Sequence, residues 1–351
     1  MRIAHYAPFD FAAIGGAQAA VVFLSRALLR LGHQVEIVCH RGAPDLEVPS
    51  VPLRTFEPER YDVVHSHAHL CLWSPWFRRR VRCHLHSLQG TTLGLRLACG
   101  RPKAIVNPGN WRGVIAEAYA AHLADHVIAV SRRARQDAIR LYGVPGGKVS
   151  VIPNGHGATG RSLPAAVRAR WRQRLGLSDE TVAFLFVGRE EDYVKNVRRL
   201  LWAYRLVRQT TDHIRLVMAP GGRAAPAGVV CTGTLASKEL AELYGSVEAL
   251  VLTSFYEGGS LAVMEALGAG LPVLATPVGN VPEVIDHLVN GIRLAPTGRD
   301  LPSWMRRVAA DAGLRARLGS AARAAARAYT WDRLAEQTVQ AYEQALGRCR
   351  T

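Results

Sequence analysis

Four charged residues in this sequence have the type and spacing to act on a phosphorylated, hydroxyl-rich ligand. Arg189 closes the segment Val187-Gly188-Arg189, and Lys195 follows six residues later, just before a helical pattern. Two cations at the entrance to a helix suit a diphosphate, because both make charge-assisted bonds to phosphoryl oxygens. A solvated basic surface would carry the same residues. Between them, Glu190-Glu191-Asp192 has no other carboxylate nearby in sequence and makes a poor metal site. The other two residues, Glu257 and Glu265, belong to the run from Glu257 to Val273. Glu257 falls in a Gly-rich turn after an apolar strand, and Glu265 inside the helix that follows. Eight residues of helix span about 12 Å, too far for one acid–base centre. The pair fits better as two clamps on the hydroxyls of one elongated ligand, with the intervening N–H groups facing its charge. Glu265 also lies among Leu261, Met264 and Leu267, where an unpaired carboxylate would be costly.

Gly15-Gly16 follows a first strand and opens a first helix, so unpaired N–H groups there can receive a phosphate. The G-x-G-x-x-G fingerprint is absent, which argues against a nicotinamide or flavin dehydrogenase. His65, His67 and His69 alternate and would share one face of a continuing strand, as would His84 and His86. A metal cluster and a row of strand-end histidines beside a crevice both fit that spacing.

The elements that must position these residues are short β-branched runs alternating with helical patterns, the signature of parallel sheets with crossover helices. Strands are expected at Met1 to Tyr6, Gln34 to Cys39, Asp62 to Ser66, Val81 to His86, His126 to Val130 and Val149 to Ile152. Helices are expected at Ala17 to Leu31 and Arg132 to Leu141. After Pro153-Asn154-Gly155 a helical stretch, Ala165 to Leu175, leads into a second series, with strands at Ala183 to Val187, Arg215 to Ala219, Val229 to Thr232, Ala249 to Leu252 and Pro272 to Ala275. A last helix starts at Trp331. Two open parallel sheets place ligands at the carboxyl ends of their strands, which suggests a bisubstrate enzyme.

The 351 residues carry 44 basic and 28 acidic groups, a formal charge of +16 that points to an anionic partner. No Asp or Glu occurs between Asp62 and Glu117. Within that gap, residues 70–82 set Trp73, Trp76 and Phe77 beside Arg78, Arg79 and Arg80, a composition suited to an anionic membrane surface or a phosphorylated acceptor. A solvated basic face is the alternative. No nucleic-acid motif accompanies the charge, so no nucleic-acid partner is expected. Six cysteines without a CxxC pair read as reduced thiols in a cytoplasmic protein. No stretch reads as a signal peptide or a membrane-spanning helix.

The run Glu257 to Val273, with Pro277 to Ile285 and Asn290-Gly291, resembles the signature of the family 4 retaining glycosyltransferases. Val187-Gly188-Arg189 with Lys195-Asn196, Val151 to Gly155, Val130-Ser131, Gly15-Gly16 and Tyr329-Thr330-Trp331 fall in that family's order, so the resemblance covers nearly the whole chain. It implies an α/β chain of GT-B fold: two Rossmann-like doubly wound parallel-sheet domains facing across a cleft. The domains expected are 1–158 for the acceptor, 159–330 for the nucleotide-sugar, and a C-terminal helix, 331–351, packing back toward the first.

The resemblance further implies that Glu257 binds hydroxyls of a donor sugar and Glu265 the nucleotide ribose. Arg189 and Lys195 would neutralise the pyrophosphate, with Gly15, Gly16, Asn154, Gly258, Gly259, Ser260 and Leu261 completing the donor site. His86, with Arg189, Lys195 and Glu257, would form the catalytic set, orienting sugar and acceptor. No metal or other cofactor is implied, and the sequence has no D-x-D motif. Asp62 to His67 also matches the family's usual strand, which favours the strand-end reading of its histidines. Gly259-Ser260 and Asn280 depart from residues common in the family, which bears on the donor sugar. The expected activity is retaining transfer of a hexosyl group from a UDP- or GDP-sugar to a hydroxyl of a cell-envelope glycolipid or polysaccharide intermediate, or of a small natural product. Lipid-linked and anionic acceptors, with peripheral contact at the cytoplasmic membrane face, are included. The alternatives are a sugar-nucleotide-binding protein without transfer activity and a nucleotide-sugar epimerase.

Overall fold

A computed structural model of the chain describes residues 1–11, 15–40, 46–67, 79–99, 111–157, 163–220 and 227–349. It divides into two compact units, Met1–Gly155 with Glu257–Leu261 and Tyr329–Thr351, and His156–Tyr256 with Ala262–Ala328.

The first unit contains β1 (Arg2–Tyr6), α1 (Gly16–Arg30), β2 (Gln34–Cys39), β3 (Ser50–Pro52), β4 (Val63–His67), β5 (His84–Leu88), α2 (Thr92–Ala98), α3 (Trp111–Leu123), β6 (His126–Ala129), α4 (Arg132–Tyr142) and β7 (Val149–Val151). The strands form one parallel sheet in the order β3-β2-β1-β4-β5-β6-β7. Chain direction across the sheet reverses between β1 and β4, and the carboxyl ends of these two strands flank the crevice such a sheet offers a ligand. Alternation of side chains gives the sheet two buried faces. Ile3, Val35, Val63, Cys83 and Leu85 pack with α1 and the C-terminal helix Trp331–Cys349. Val38, Val64 and Val81 form a separate cluster with Phe56 and Tyr61.

The second unit contains α5 (Ala165–Arg174), β8 (Val182–Val187), α6 (Val197–Arg208), β9 (Ile214–Ala219), β10 (Val229–Cys231), α7 (Ser237–Tyr244), β11 (Ala249–Leu252), most of α8 (Leu261–Ala269), β12 (Val273–Ala275), α9 (Val281–Val284), β13 (Ile292–Arg293), α10 (Leu301–Ala310) and α11 (Ala312–Ala326). Its parallel sheet runs β10-β9-β8-β11-β12-β13, reversing between β8 and β11. Phe184, Phe186, Leu216, Met218 and Val251 carry its core. The basic helix α5 is tied down by Glu248, which accepts bonds from Arg168, Arg172 and the Ala183 N–H.

Most elements fall where the periodicity places them, within one or two residues. β5 differs: it starts at His84, not Val81, and runs on to Leu88. Its start is set by Asp125, whose carboxylate accepts the His84 N–H at 2.8 Å, and its end by Leu88, buried among Val114, Val127 and Ala129. The short strands β3 and β13 carry too few residues to show an alternation. Among the described residues no helix is long and apolar enough to cross a membrane.

Candidate active site

In the second unit the chain leaves β8 through Gly188, whose φ of +152° lies in the region that favours glycine. A Cβ on Gly188 would stand 3.4 Å from Lys195 Cε, so the lysine stem lies directly along this turn. Arg189 follows and is exposed; Lys195 is half-buried. Lys195 belongs to the 3-10 turn Tyr193–Lys195, where the Asp192 carboxylate accepts the Val194 N–H at 3.1 Å. Asp192 therefore has a capping role. The turn docks on the segment after β11. Thr253 Oγ1 lies 3.0 Å from the Lys195 carbonyl, and the Phe255 N–H donates to the Val194 carbonyl at 2.9 Å. Arg189 and Lys195 thus both belong to the loop that leaves the carboxyl end of β8, with Lys195 docked on the segment after β11, where this sheet's topology reverses.

Glu265, on α8, is half-buried beside the fully buried Tyr244. Burial pushes its carboxyl up to about 7, and the Tyr244 hydroxyl, which favours the ionised form, offsets only part of that. Burial thus holds back the charge of this carboxylate.

In the first unit Gly15 and Gly16 are both exposed. Gly15 is the N-cap of α1 without a side-chain cap, and there is no acidic residue in the first turn. Nothing lies within 4 Å of a Cβ placed on Gly16, whereas one on Gly15 would stand 3.0 Å from Gln18 Oε1. The segment Glu257–Leu261 belongs to this unit and is held on its sheet. A Cβ on Gly258 would meet the Gln89 carbonyl oxygen at 1.9 Å, and one on Gly259 would meet Val130 at 2.8 Å. At Gly258 backbone lies against backbone, and at Gly259 the Val130 side chain takes the space a Cβ would need. Ser131 serves two elements at once: its Oγ accepts the Ala134 N–H as the N-cap of α4 and donates to the Gly258 carbonyl at 2.5 Å. Asn154 Nδ2 donates to Gln89 Oε1 at 3.1 Å and toward the Gly259 carbonyl at 3.4 Å. Glu257 is half-buried at the head of this loop, Ser260 is buried, and Leu261 packs against the core of the first unit.

The histidines are more deeply placed than their spacing suggests. His5, His65, His67, His84 and His86 are all buried on β1, β4 and β5, with His67 the last residue of β4. His5 Nδ1 lies 2.7 Å from Ser25 Oγ; Ser25 donates to the Val21 carbonyl, so the imidazole is the donor. Tyr342, 337 residues away on the C-terminal helix, joins His5 Nε2 at 3.3 Å and His65 Nδ1 at 2.8 Å, and His65 Nε2 meets Ser87 Oγ at 2.7 Å. One ring nitrogen each from His5, His65 and His67 lies within 4.8 Å of the others. Burial holds all three neutral, His5 at about 3. On the other face, Ser66 Oγ lies 2.8 Å from His84 Nε2 and 2.8 Å from His86 Nδ1. His86 is thus locked within β5 with no exposed surface. His69 and most of the basic segment 70–82 lie outside the described residues. Of that segment, Arg80 pairs with Glu59, and Arg82 with Asp62 at 3.1 Å, so acidic neighbours in space offset part of a charge run that has none in sequence.

Thr253, Ser66, Ser131, Gln89 and Tyr342 hold these groups without standing out in the sequence. Ser131 and Thr253 each follow a strand, a signal for loop chemistry; Tyr342 offers no local signal at all.

Residues 53–156 match the family described as Glycosyltransferase Family 4, and residues 181–310 the family described as Glycosyl transferases group 1. A D-inositol 3-phosphate glycosyltransferase of Xylanimonas cellulosilytica is 28% identical over 99% of this chain and 97% of its own length. Another protein of that name, from Actinosynnema mirum, is 30% identical over 82% of this chain and 74% of its own. Among solved structures, sucrose-phosphate synthase from Thermosynechococcus elongatus superposes with a TM-score of 0.79 at 20% identity, covering 99% of each chain. Anabaena HepE in complex with UDP-glucose superposes at 0.77 with 16% identity, covering 98% of this chain and all of the other. The two doubly wound sheets are those of the GT-B fold, and with these relatives the chain belongs to the family 4 glycosyltransferases, the glycosyl transferases of group 1.

Proposed function

We propose that this glycosyltransferase moves a sugar from a nucleotide-sugar donor to a hydroxyl of an anionic acceptor, with retention of anomeric configuration and without a metal at the diphosphate. The observation that supports the proposal is that Arg189 and Lys195 share the loop leaving the carboxyl end of β8, beside the topological switch between β8 and β11. Cleavage of the anomeric C–O bond leaves an oxocarbenium-like sugar and a nucleoside diphosphate. The largest contribution then comes from cations preorganised where the leaving charge develops. Two cations there remove the need for a bridging divalent ion, and Gly15 and Gly16, exposed at the head of α1, are assigned to the donor as backbone donors without charge.

Glu257 accepts hydrogen bonds from the donor sugar's hydroxyls, and Glu265 from the ribose hydroxyls, whose donation favours its ionised form. Gly258, Gly259, Ser260, Leu261 and Asn154 keep the Glu257 loop in place. The leaving phosphate takes the acceptor proton on the face from which it departs, so no protein base is required for that step. His86 is assigned the orienting of sugar and acceptor; it lies buried in β5 with Nδ1 2.8 Å from Ser66 Oγ. The UDP-glucose bound to Anabaena HepE supports a nucleotide-sugar donor. The names of the inositol-phosphate enzymes, with the +16 charge, support a phosphorylated acceptor.

Thermal-shift screening against UDP-, GDP- and dTDP-sugars, followed by product analysis with phosphorylated polyol and lipid-linked acceptors, tests the proposal. A glycosylated product is expected. Nucleotide binding without product, across donors and acceptors, would replace it with a binding role, and donor conversion without acceptor with an epimerase.

A further inference from the structure

The amino edge of the first unit's sheet carries a second constellation, opposite the edge where His67 ends β4. Cys83 immediately precedes β5 and Asp125 immediately precedes β6; because these strands pair in parallel, both residues emerge on the same edge. Cys349 is the last residue of the C-terminal helix. One ligand atom from each, two sulfurs and a carboxylate oxygen, lies within 4.8 Å of the other two. Cys83 is fully buried, Asp125 half-buried and Cys349 exposed, so the cluster has a dry floor and an open mouth. Asp125 is held by the adjacent strand: its carboxylate accepts the His84 N–H at 2.8 Å and its own N–H donates to the His84 carbonyl at 2.7 Å.

We propose that Cys83, Asp125 and Cys349 bind a thiophilic divalent cation of the zinc class, a site apart from the transfer reaction. Two thiolates and a carboxylate from three separate segments form a donor set that soft thiolates direct toward zinc and away from magnesium or calcium. Zinc–sulfur bonds of about 2.3 Å at a tetrahedral angle put the two sulfurs roughly 3.8 Å apart. The observed spacing needs a contraction of about 1 Å at most, which the helix end carrying Cys349 can supply. The net negative charge of three such ligands around a dication suits a strongly basic chain, and Arg348 is adjacent in sequence to Cys349. A disulfide would need the sulfurs at about 2.05 Å and would leave the convergent carboxylate without a part. The ion would tie the end of the C-terminal helix to the edge of the sheet on which that helix packs.

The test uses the full-length chain without an affinity tag, purified under reducing conditions. Elemental analysis is expected to find one zinc ion per chain. Cobalt(II) replacing it should give a thiolate-to-cobalt charge-transfer band in the near ultraviolet. Cys349→Ser, at an exposed position, should fold, lose the band and bind zinc at least tenfold more weakly, whereas Cys231→Ser in the other unit should bind as the unaltered chain does. Zinc should raise the melting temperature of the unaltered chain and not that of Cys349→Ser. The proposal is overturned by absence of stoichiometric metal and band, by equal binding in Cys349→Ser, or by a protein mass lower by two hydrogens with both thiols lost, which would assign a disulfide instead.

Discussion

Replacing Glu265 by Gln removes a charge that burial resists and keeps the shape and an acceptor for Tyr244. The carboxyl titrates near 4.5 in an unfolded chain and at about 7 in the fold. A raised carboxyl pKa means the folded state holds its proton more tightly. The contribution to stability is therefore full below pH 4.5 and is lost as pH rises through 7. The difference, multiplied by about 1.36 kcal/mol per pH unit, gives a cost of ~3 kcal/mol for the ionised carboxylate above pH 7. Glu265→Gln should therefore melt with the unaltered protein at pH 4.5 and, without ligand, about 6–12 °C higher at pH 8, given roughly 2–4 °C per kcal/mol for a unit of this size. The same substitution should weaken nucleotide-sugar binding at pH 8 by tenfold or more, because the ribose loses a charged acceptor. Donor binding near pH 7 should also release a proton, visible as a binding enthalpy that varies with the buffer's ionisation enthalpy. Melting curves from pH 4.5 to 8.5 with calorimetric titration decide the matter. A stability difference independent of pH, or unchanged affinity, would refute the reasoning.

Arg189→Ala and Lys195→Ala should each lower kcat/KM by about 10- to 100-fold, the scale of a charge-assisted contact; steady-state kinetics at the wild-type level would remove the diphosphate role. Gly258→Ala puts a methyl group into the Gln89 backbone and should cost ~3 kcal/mol or more in urea unfolding, with a parallel loss of turnover as the Glu257 loop shifts. The buried histidines make the first unit sensitive to acid. With His5 held neutral down to about 3, the unfolded chain binds the extra proton below pH 6.5, so stability is full above that pH and falls by ~2 kcal/mol at pH 5 from His5 alone. His65 and His67 act in the same direction. A urea midpoint unchanged between pH 7 and pH 5 would contradict this.

The two parallel sheets were legible because their strands are apolar runs separated by helical periods; Gly188-Arg189, Lys195 and Gly258-Gly259 drew notice as local loop chemistry, and Glu265 as a carboxylate set among apolar helix positions. What remained hidden depends on contacts distant in sequence. Nothing near Tyr342 indicates that its hydroxyl bridges His5 and His65, and nothing near Gly258 indicates Gln89 beneath it. Alternation placed His65 with His67 and His84 with His86 on shared faces, but their depth follows from the helices covering both sides of the sheet. The acid-free span from Asp62 to Glu117 looked like one basic surface; Glu59 and Asp62, just before it, fold back onto Arg80 and Arg82.

The most direct test is the anomeric configuration of the product. With an α-linked nucleotide-sugar, a phosphorylated acceptor and no added divalent cation, the one-bond carbon–proton coupling constant at the new anomeric centre should report an α linkage. A β-linked product, or none from a chain that binds the donor, would contradict the account.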